Sequence, residues 1–241
     1  MKTISDLNIH LYTDGANIAD MLEMYKRDYI KGFTTNPTLM RKAGISNYKE
    51  FALSVLAAIP DRPISFEVFA DEFREMRLQA LEIGSWGKNV NVKIPVMNTK
   101  KATSYSLIRE LVSENLNLNV TAIMTLDQVE AVARAMENAH DGIISIFAGR
   151  IADTGLDPIP LMKEAVAIAS TINPHLKILW ASPRELLNVF HAEEAGCHII
   201  TATTDILKKL ENVGKNLEEF SWETVKMFYN DANAAKYSIE L

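Results

Sequence analysis

The stretch Asn89-Val90-Asn91-Val92-Lys93-Ile94-Pro95-Val96 decides how the chain is read. Val90, Val92 and Ile94 form a short β-branched run between Gly87 and Pro95, the pattern of a buried strand. A lysine at the end of such a strand is out of keeping with burial unless it is paired or reactive. Desolvation disfavours an ammonium and lowers a lysine's pKa, freeing the nitrogen lone pair as a nucleophile. A neutral amine in an apolar pocket can attack a ketone and form a Schiff base. Taken alone, the run reads first as a strand-end lysine that snorkels to water. The flanking chain decides between the two.

Short β-type runs alternate with helical patterns from end to end. Strands are expected at Asn8 to Thr13, Tyr29 to Phe33, Ile64 to Phe69, the lysine run and Leu116 to Ile123. Three more are expected at Gly142 to Phe147, Leu176 to Ala181 and His198 to Ala202. Between strands, Phe73, Met76, Ala80 and Ile83 step by three and four, a helical face for which Asp71 reads as the cap. Lys101 to Glu114 reads as a helix, and Thr125 with Gln128 as a capping box. Eight strands, each followed by a helical pattern, imply an α/β chain with a parallel sheet and crossover helices. Eight such units in 241 residues match a (β/α)8 TIM barrel. An open doubly wound sheet is the runner-up, but no Gly-rich dinucleotide turn or Walker loop follows any strand. No linker or low-complexity segment interrupts the pattern, so residues 1–241 read as a single domain, with 217–238 as an appended C-terminal helix. Trp222, Val225, Tyr229 and Ala232 fall at helical spacing there, a face for packing on its own barrel or on a neighbouring subunit.

With 48% hydrophobic residues the chain can bury a full core. Its net charge of −6, with both signs interspersed, argues against nucleic acid or an anionic membrane surface as a partner. A single cysteine, Cys197, gives no disulfide framework and suits a reducing cytoplasm. Neither a leader-like start nor an apolar run approaching ~20 residues is present, so a cytoplasmic protein is expected.

Polar residues are biased in position. Asp14, Asn36, Glu67, Lys93, Asn119, Thr121, Ser145 and Arg150 fall at or near the C-terminal ends of expected strands, as do Ser182 and Arg184 after the seventh. In a barrel those ends converge on one face, where active sites are built. Each has a plainer alternative: Asp14 as a helix cap, Asn36 closing an Asn-Pro turn, Thr121 filling a strand. Glu67 is harder to dismiss, because between Phe66 and Val68 it points to the opposite face from both. Arg150 follows a glycine, and Ser182 and Arg184 are expected at the N-terminus of the next helix, so all three suit an anion such as phosphate. A local ion pair of Arg150 with Asp153 is expected in addition. His10, His140, His175, His191 and His198 are scattered, and no metal site or cofactor is expected.

In order, Thr34-Thr35-Asn36-Pro37, the Glu67 strand, Val92-Lys93-Ile94-Pro95, Asn119-Val120-Thr121, Gly149-Arg150-Ile151 with Asp153, Ala181-Ser182 with Arg184, and Ala195-Gly196-Cys197 form one set. The chain resembles the transaldolases in this set, from Asp14 to about Leu210, and looks most like a compact bacterial branch. The resemblance implies a transferase that moves a three-carbon dihydroxyacetone unit through a Schiff base, in the pentose phosphate pathway. Donors would be sedoheptulose 7-phosphate or fructose 6-phosphate, and acceptors glyceraldehyde 3-phosphate or erythrose 4-phosphate. It implies Lys93 as the Schiff-base lysine, Asp14 handling the C4 hydroxyl proton and Glu67 working through a water. Thr34, Asn36, Asn119, Thr121, Ser145 and Phe147 would line the sugar site, and Arg150, Ser182 and Arg184 would hold phosphate. Fructose-6-phosphate aldolases share the lysine but carry Gln in place of Glu67 and Tyr in place of Phe147; both positions here side with transaldolase. A cleaving aldolase and a non-catalytic sugar-phosphate-binding barrel are the alternatives. A homo-oligomer is expected.

Overall fold

The computed structural model describes residues 4–240, and the outermost residues of the domain expected over 1–241 lie outside them. Eight parallel strands close into a barrel in sequence order. The first half runs β1 His10–Asp14, α1 Ile18–Tyr25, β2 Ile30–Thr34, α2 Pro37–Lys42, α3 Tyr48–Ala58, β3 Ile64–Glu67, α4 Phe73–Gly84 and β4 Val90–Pro95. Next come α5 Tyr105–Ser113, β5 Leu118–Ile123, α6 Leu126–Ala135, β6 Gly142–Ile146, α7 Ala148–Ala152 and α8 Pro158–Ile172. The barrel closes with β7 Leu176–Trp180, α9 Leu187–Glu194 and β8 Ile199–Thr203, followed by α10 Thr204–Lys208 and α11 Leu217–Ala234. The (β/α)8 barrel expected from the alternation is the fold. Among the described residues, no helix is long and apolar enough to cross a membrane.

Side-chain alternation splits the core into two layers. Outward residues such as Phe66, Val92, Ile94, Val120, Ile144 and Trp180 join the helices in the large apolar shell. Inward, Tyr12, Ile143, Leu179, Ala181 and Ile199 fill the barrel, with Phe147 against them. The Tyr12 ring lies where a side chain on Gly32 would stand, so β2 must present no Cβ there.

Helix starts follow their caps. Asn17, Asn36 and Asn47 each accept a backbone N–H in the first turn of the next helix. The capping box of Thr125 and Gln128 is present. Asp71 is not the cap of α4: Glu72 holds that position without a side-chain bond to the helix. Asp71, one residue further out, accepts instead from Thr99 N and Oγ1 at 2.8 and 2.7 Å, tying two loops together. Two boundaries also move. Asn98 Oδ1 accepts from Lys100 and Ala102 N–H groups and Lys101 is left-handed, so α5 cannot begin before that turn ends. Asn115 is left-handed and Leu116 N returns to the Leu111 carbonyl, which delays β5 to Leu118. In α11 no residue is buried, so its apolar face does not pack on its own barrel.

Gly32→Val should drive a branched side chain into the Tyr12 ring and destabilise the fold by about 1–3 kcal/mol. Urea unfolding would measure the loss, and an unchanged midpoint would show that the barrel interior is looser than its packing implies.

Candidate active site

Register brings the polar residues together. Glu67 pairs with Lys93 across β3 and β4, Lys93 with Asn119 across β4 and β5, and Asp14 with Thr34 across β1 and β2. Partners in a parallel ladder point to the same face, here the barrel interior. Above the apolar plug they line a cavity of about 620 Å³ at the C-terminal ends of the strands. All twelve residues singled out from the sequence line it: Asp14, Thr34, Asn36, Glu67, Lys93, Asn119, Thr121, Ser145, Phe147, Arg150, Ser182 and Arg184.

Lys93 does not snorkel to solvent. It is 6% exposed, with Nζ 3.0 Å from Glu67 Oε2, and it donates to the Thr35 carbonyl at 2.8 Å. A buried cation stripped of water needs such a partner, since unpaired it would cost several kcal/mol. The pair also leaves the nitrogen at the cavity wall.

Asp14 forms the other acidic side. Thr34 Oγ1 donates to Asp14 Oδ1 at 2.8 Å and Asn36 Nδ2 to Oδ2 at 3.4 Å. Thr34 Oγ1 also lies 2.6 Å from Thr201 Oγ1. With the Thr34 proton committed to the carboxylate, Thr201 supplies the proton of that contact. Burial raises the Asp14 carboxyl above its ordinary range. The Lys93 charge and the Thr34 hydrogen bond oppose the rise, while the Glu67 charge adds to it. Capping of α1 falls to Asn17, not to Asp14. Asn36 serves two ends, its Oδ1 accepting from Leu39 N at 3.0 Å as the cap of α2 while its amide nitrogen reaches Asp14.

A third row crosses the floor. Ser145 Oγ donates to Asn119 Oδ1 at 2.6 Å, and Asn119 Nδ2 donates to Ser65 Oγ at 3.1 Å. This fixes the amide beside Lys93. The Thr121 hydroxyl is buried and has no hydrogen-bond partner among the described residues. A buried hydroxyl left so is costly unless something in the cavity bonds it.

The cationic rim departs from its expected geometry. Ser182 and Arg184 are not at a helix N-terminus, because α9 begins only at Leu187. They lie in a loop where Ser182 is left-handed and Asn188 Oδ1 accepts from the N–H groups of Arg184 and Glu185. The Ser182 carbonyl packs where a Cβ on residue 149 would stand, which requires Gly149. Asp153 pairs with Arg184 and not with Arg150: Arg184 Nε donates to Asp153 Oδ1 at 3.0 Å and Nη2 to Oδ2. The Arg150 guanidinium instead lies 5.7 Å from the centre of the Phe147 ring.

Sequence reading missed Thr201 and Ser65, although both sit on the inward alternation of their strands. It also missed Tyr48, whose contact with the Glu67 backbone no local pattern signals. His10 and His198 lie at the other end of the barrel, where His198 Nδ1 accepts from Ile178 N at 3.0 Å.

Comparison with known proteins places this geometry in a family. A family model described as Transaldolase/Fructose-6-phosphate aldolase matches residues 11–239. A probable transaldolase from Dehalococcoides mccartyi is 32% identical over 202 residues, 84% of this chain and 90% of that protein. One from Heliobacterium modesticaldum is 32% identical over 223 residues, 90% of this chain and 99% of the relative. A third, from Clostridium acetobutylicum, is 34% identical over 200 residues, covering 83% and 88%. Among solved structures, dihydrodipicolinate synthase from Rhodopseudomonas palustris aligns with a TM-score of 0.59 at 12% identity, over 96% of this chain and 81% of that one. That likeness is one of fold alone. The chain belongs to the transaldolase/fructose-6-phosphate aldolase family.

The raised Asp14 pKa predicts a pH-dependent stability. Below the ordinary value of 3.8 the carboxyl is neutral whether folded or unfolded, and its contribution is fully present. As pH rises through the higher folded pKa, the buried group must ionise and that contribution is lost. Asp14→Asn should therefore raise Tm at neutral pH, with the gain shrinking toward about pH 4. Thermal melts across pH would check this, and a lower Tm at neutral pH would contradict it.

Proposed function

We propose that the protein is a transaldolase working through a Schiff base on Lys93. The observation that carries this is a buried amine held 3.0 Å from a carboxylate at the wall of a polar cavity, in a chain of this family. Lys93 gives a proton to Glu67 and adds to the C2 ketone of a ketose phosphate. Loss of water then leaves an iminium. Glu67 passes protons through a water in this step, and the unpartnered Thr121 hydroxyl offers that water a hydrogen bond.

The iminium is the electron sink, so the scheme calls on no cofactor. Ionised Asp14 takes the C4 hydroxyl proton as the C3–C4 bond breaks, releasing an aldehyde and leaving an enamine on Lys93. The enamine carbon attacks the aldehyde of an aldose phosphate, and Asp14 returns the proton to the new hydroxyl. Hydrolysis of the resulting iminium frees a new ketose, three carbons longer than the acceptor. Fructose 6-phosphate or sedoheptulose 7-phosphate would be the donor, and erythrose 4-phosphate or glyceraldehyde 3-phosphate the acceptor, as in the pentose phosphate pathway. Asn119, held by Ser65 and Ser145, faces the carbon chain with Thr34, Asn36 and Phe147. Arg150, Ser182 and Arg184 take the phosphate, anchoring the far end so that the reacting carbons are positioned.

α11 supports assembly. Trp222, Val225 and Tyr229 are 54% to 69% exposed along one side of this 18-residue helix. Such a face suits a homo-oligomer, and light scattering should give a particle heavier than the 27.0 kDa chain. A monomer throughout would remove this part of the proposal.

Borohydride in the presence of fructose 6-phosphate should fix a three-carbon adduct on Lys93, read by peptide mass, and Lys93→Met should abolish it. An adduct elsewhere, or none, refutes the scheme. Turnover of fructose 6-phosphate with erythrose 4-phosphate separates an enzyme from a binding barrel. Arg184→Ala should raise KM for the phosphorylated donor about 10- to 100-fold and affect unphosphorylated fructose far less.

A further inference from the structure

β3 leaves its ladder on one side just where it carries its acid. Pairing with β2 covers only Ile64 and Ser65, after which β2 turns away into the cap of α2. On that side the backbone of Glu67 has no strand partner. The hydroxyl of Tyr48, the first residue of α3, takes the place of one. Tyr48 Oη donates to the Glu67 carbonyl at 2.7 Å and accepts from the Glu67 N–H at 2.8 Å. One side-chain oxygen thus closes both polar groups of a single residue. On the other side Val68 N–H donates to the Lys93 carbonyl at 3.1 Å.

The clamp is itself held. The Tyr48 ring meets Phe66, Phe69 and Trp86, with centroids 6.4, 5.5 and 5.8 Å away. Gln79 Oε1 accepts from Phe69 and Ala70 N–H groups at 2.8 and 2.9 Å, fixing the chain just beyond. Burial, together with the Glu67 charge, raises the Tyr48 pKa. The hydroxyl therefore keeps the proton it donates.

We propose that Tyr48 is the positioning residue for Glu67, setting the backbone from which its carboxylate reaches Lys93. The inference rests on the reading that Glu67 moves protons for Lys93. Tyr48 touches neither substrate nor amine; it acts through the strand end. A peptide plane at Glu67 freed to rotate would swing the carboxylate off the 3.0 Å contact with Nζ. Proton transfer to and from the lysine would slow, while phosphate binding at the opposite rim would not change.

Tyr48→Phe removes only the oxygen and leaves the ring among its three aromatic neighbours. Rapid quenching with borohydride after mixing with fructose 6-phosphate reads the rate of iminium formation. The total lysine finally reduced counts the folded sites, so a partly unfolded sample does not imitate a slow one. Tyr48→Phe should slow the rate about 10- to 100-fold without raising KM for the phosphorylated donor. It should shift the pH profile toward that of Glu67→Ala, and added to Glu67→Ala it should slow nothing further. A wild-type rate in Tyr48→Phe overturns the proposal, as does an equal slowing with and without Glu67. If Glu67→Ala itself reacts at the wild-type rate while Lys93→Met does not react, the role of Glu67 fails. The positioning role then falls with it, and the Schiff-base chemistry stands.

Discussion

A lysine has been taken out of water inside a closed barrel, and the rest of the site follows from that. An ammonium so placed must face an acceptor, and the adjoining strand supplies one in register, with Glu67 opposite Lys93. On the proposed mechanism, the partner that makes burial tolerable is also the base that takes the proton the amine must lose before it attacks. Stability of the resting site and readiness for chemistry therefore come from one contact. The apolar plug of Tyr12, Ile143, Leu179 and Ile199 beneath sets the depth at which that contact sits.

Asp14 occupies the other wall under different terms. Glu67 meets a cation at 3.0 Å, whereas Asp14 is held by neutral donors, Thr34 and Asn36, and burial raises its pKa. Two carboxylates in one cavity are thus given unlike surroundings, the arrangement expected when they handle protons at different steps. The cationic rim stands apart from both. Of its two guanidiniums, Arg184 is oriented by Asp153 and Arg150 lies against the Phe147 ring, so neither depends on the acids around Lys93.

Much of this was legible in the chain because barrel strands alternate strictly. The inward parity of Glu67, Lys93, Asn119 and Thr121 can be counted from β-branched neighbours, and the ends of strands fall where Gly and Pro punctuate the sequence. Loop geometry was not legible. Arg184 in place of Arg150 as the partner of Asp153, and Ser182 four residues short of the helix cap at Leu186, both depend on a left-handed turn that no spacing announces. Asp71 shows the same limit: a residue with every mark of a cap was drawn off by Thr99, 28 positions away. Tyr48 lay hidden for a related reason, since a tyrosine opening an amphipathic helix is unremarkable until its hydroxyl meets a strand end 19 residues on.

Asn36 joins two tasks in one side chain. Its carbonyl oxygen starts α2 and its amide nitrogen touches Asp14. The loop after the second strand is therefore no free appendage to be lengthened or traded between homologues. Any graft that re-aims that helix re-aims the acid as well, so the length of this loop is tied to the geometry of the cavity wall.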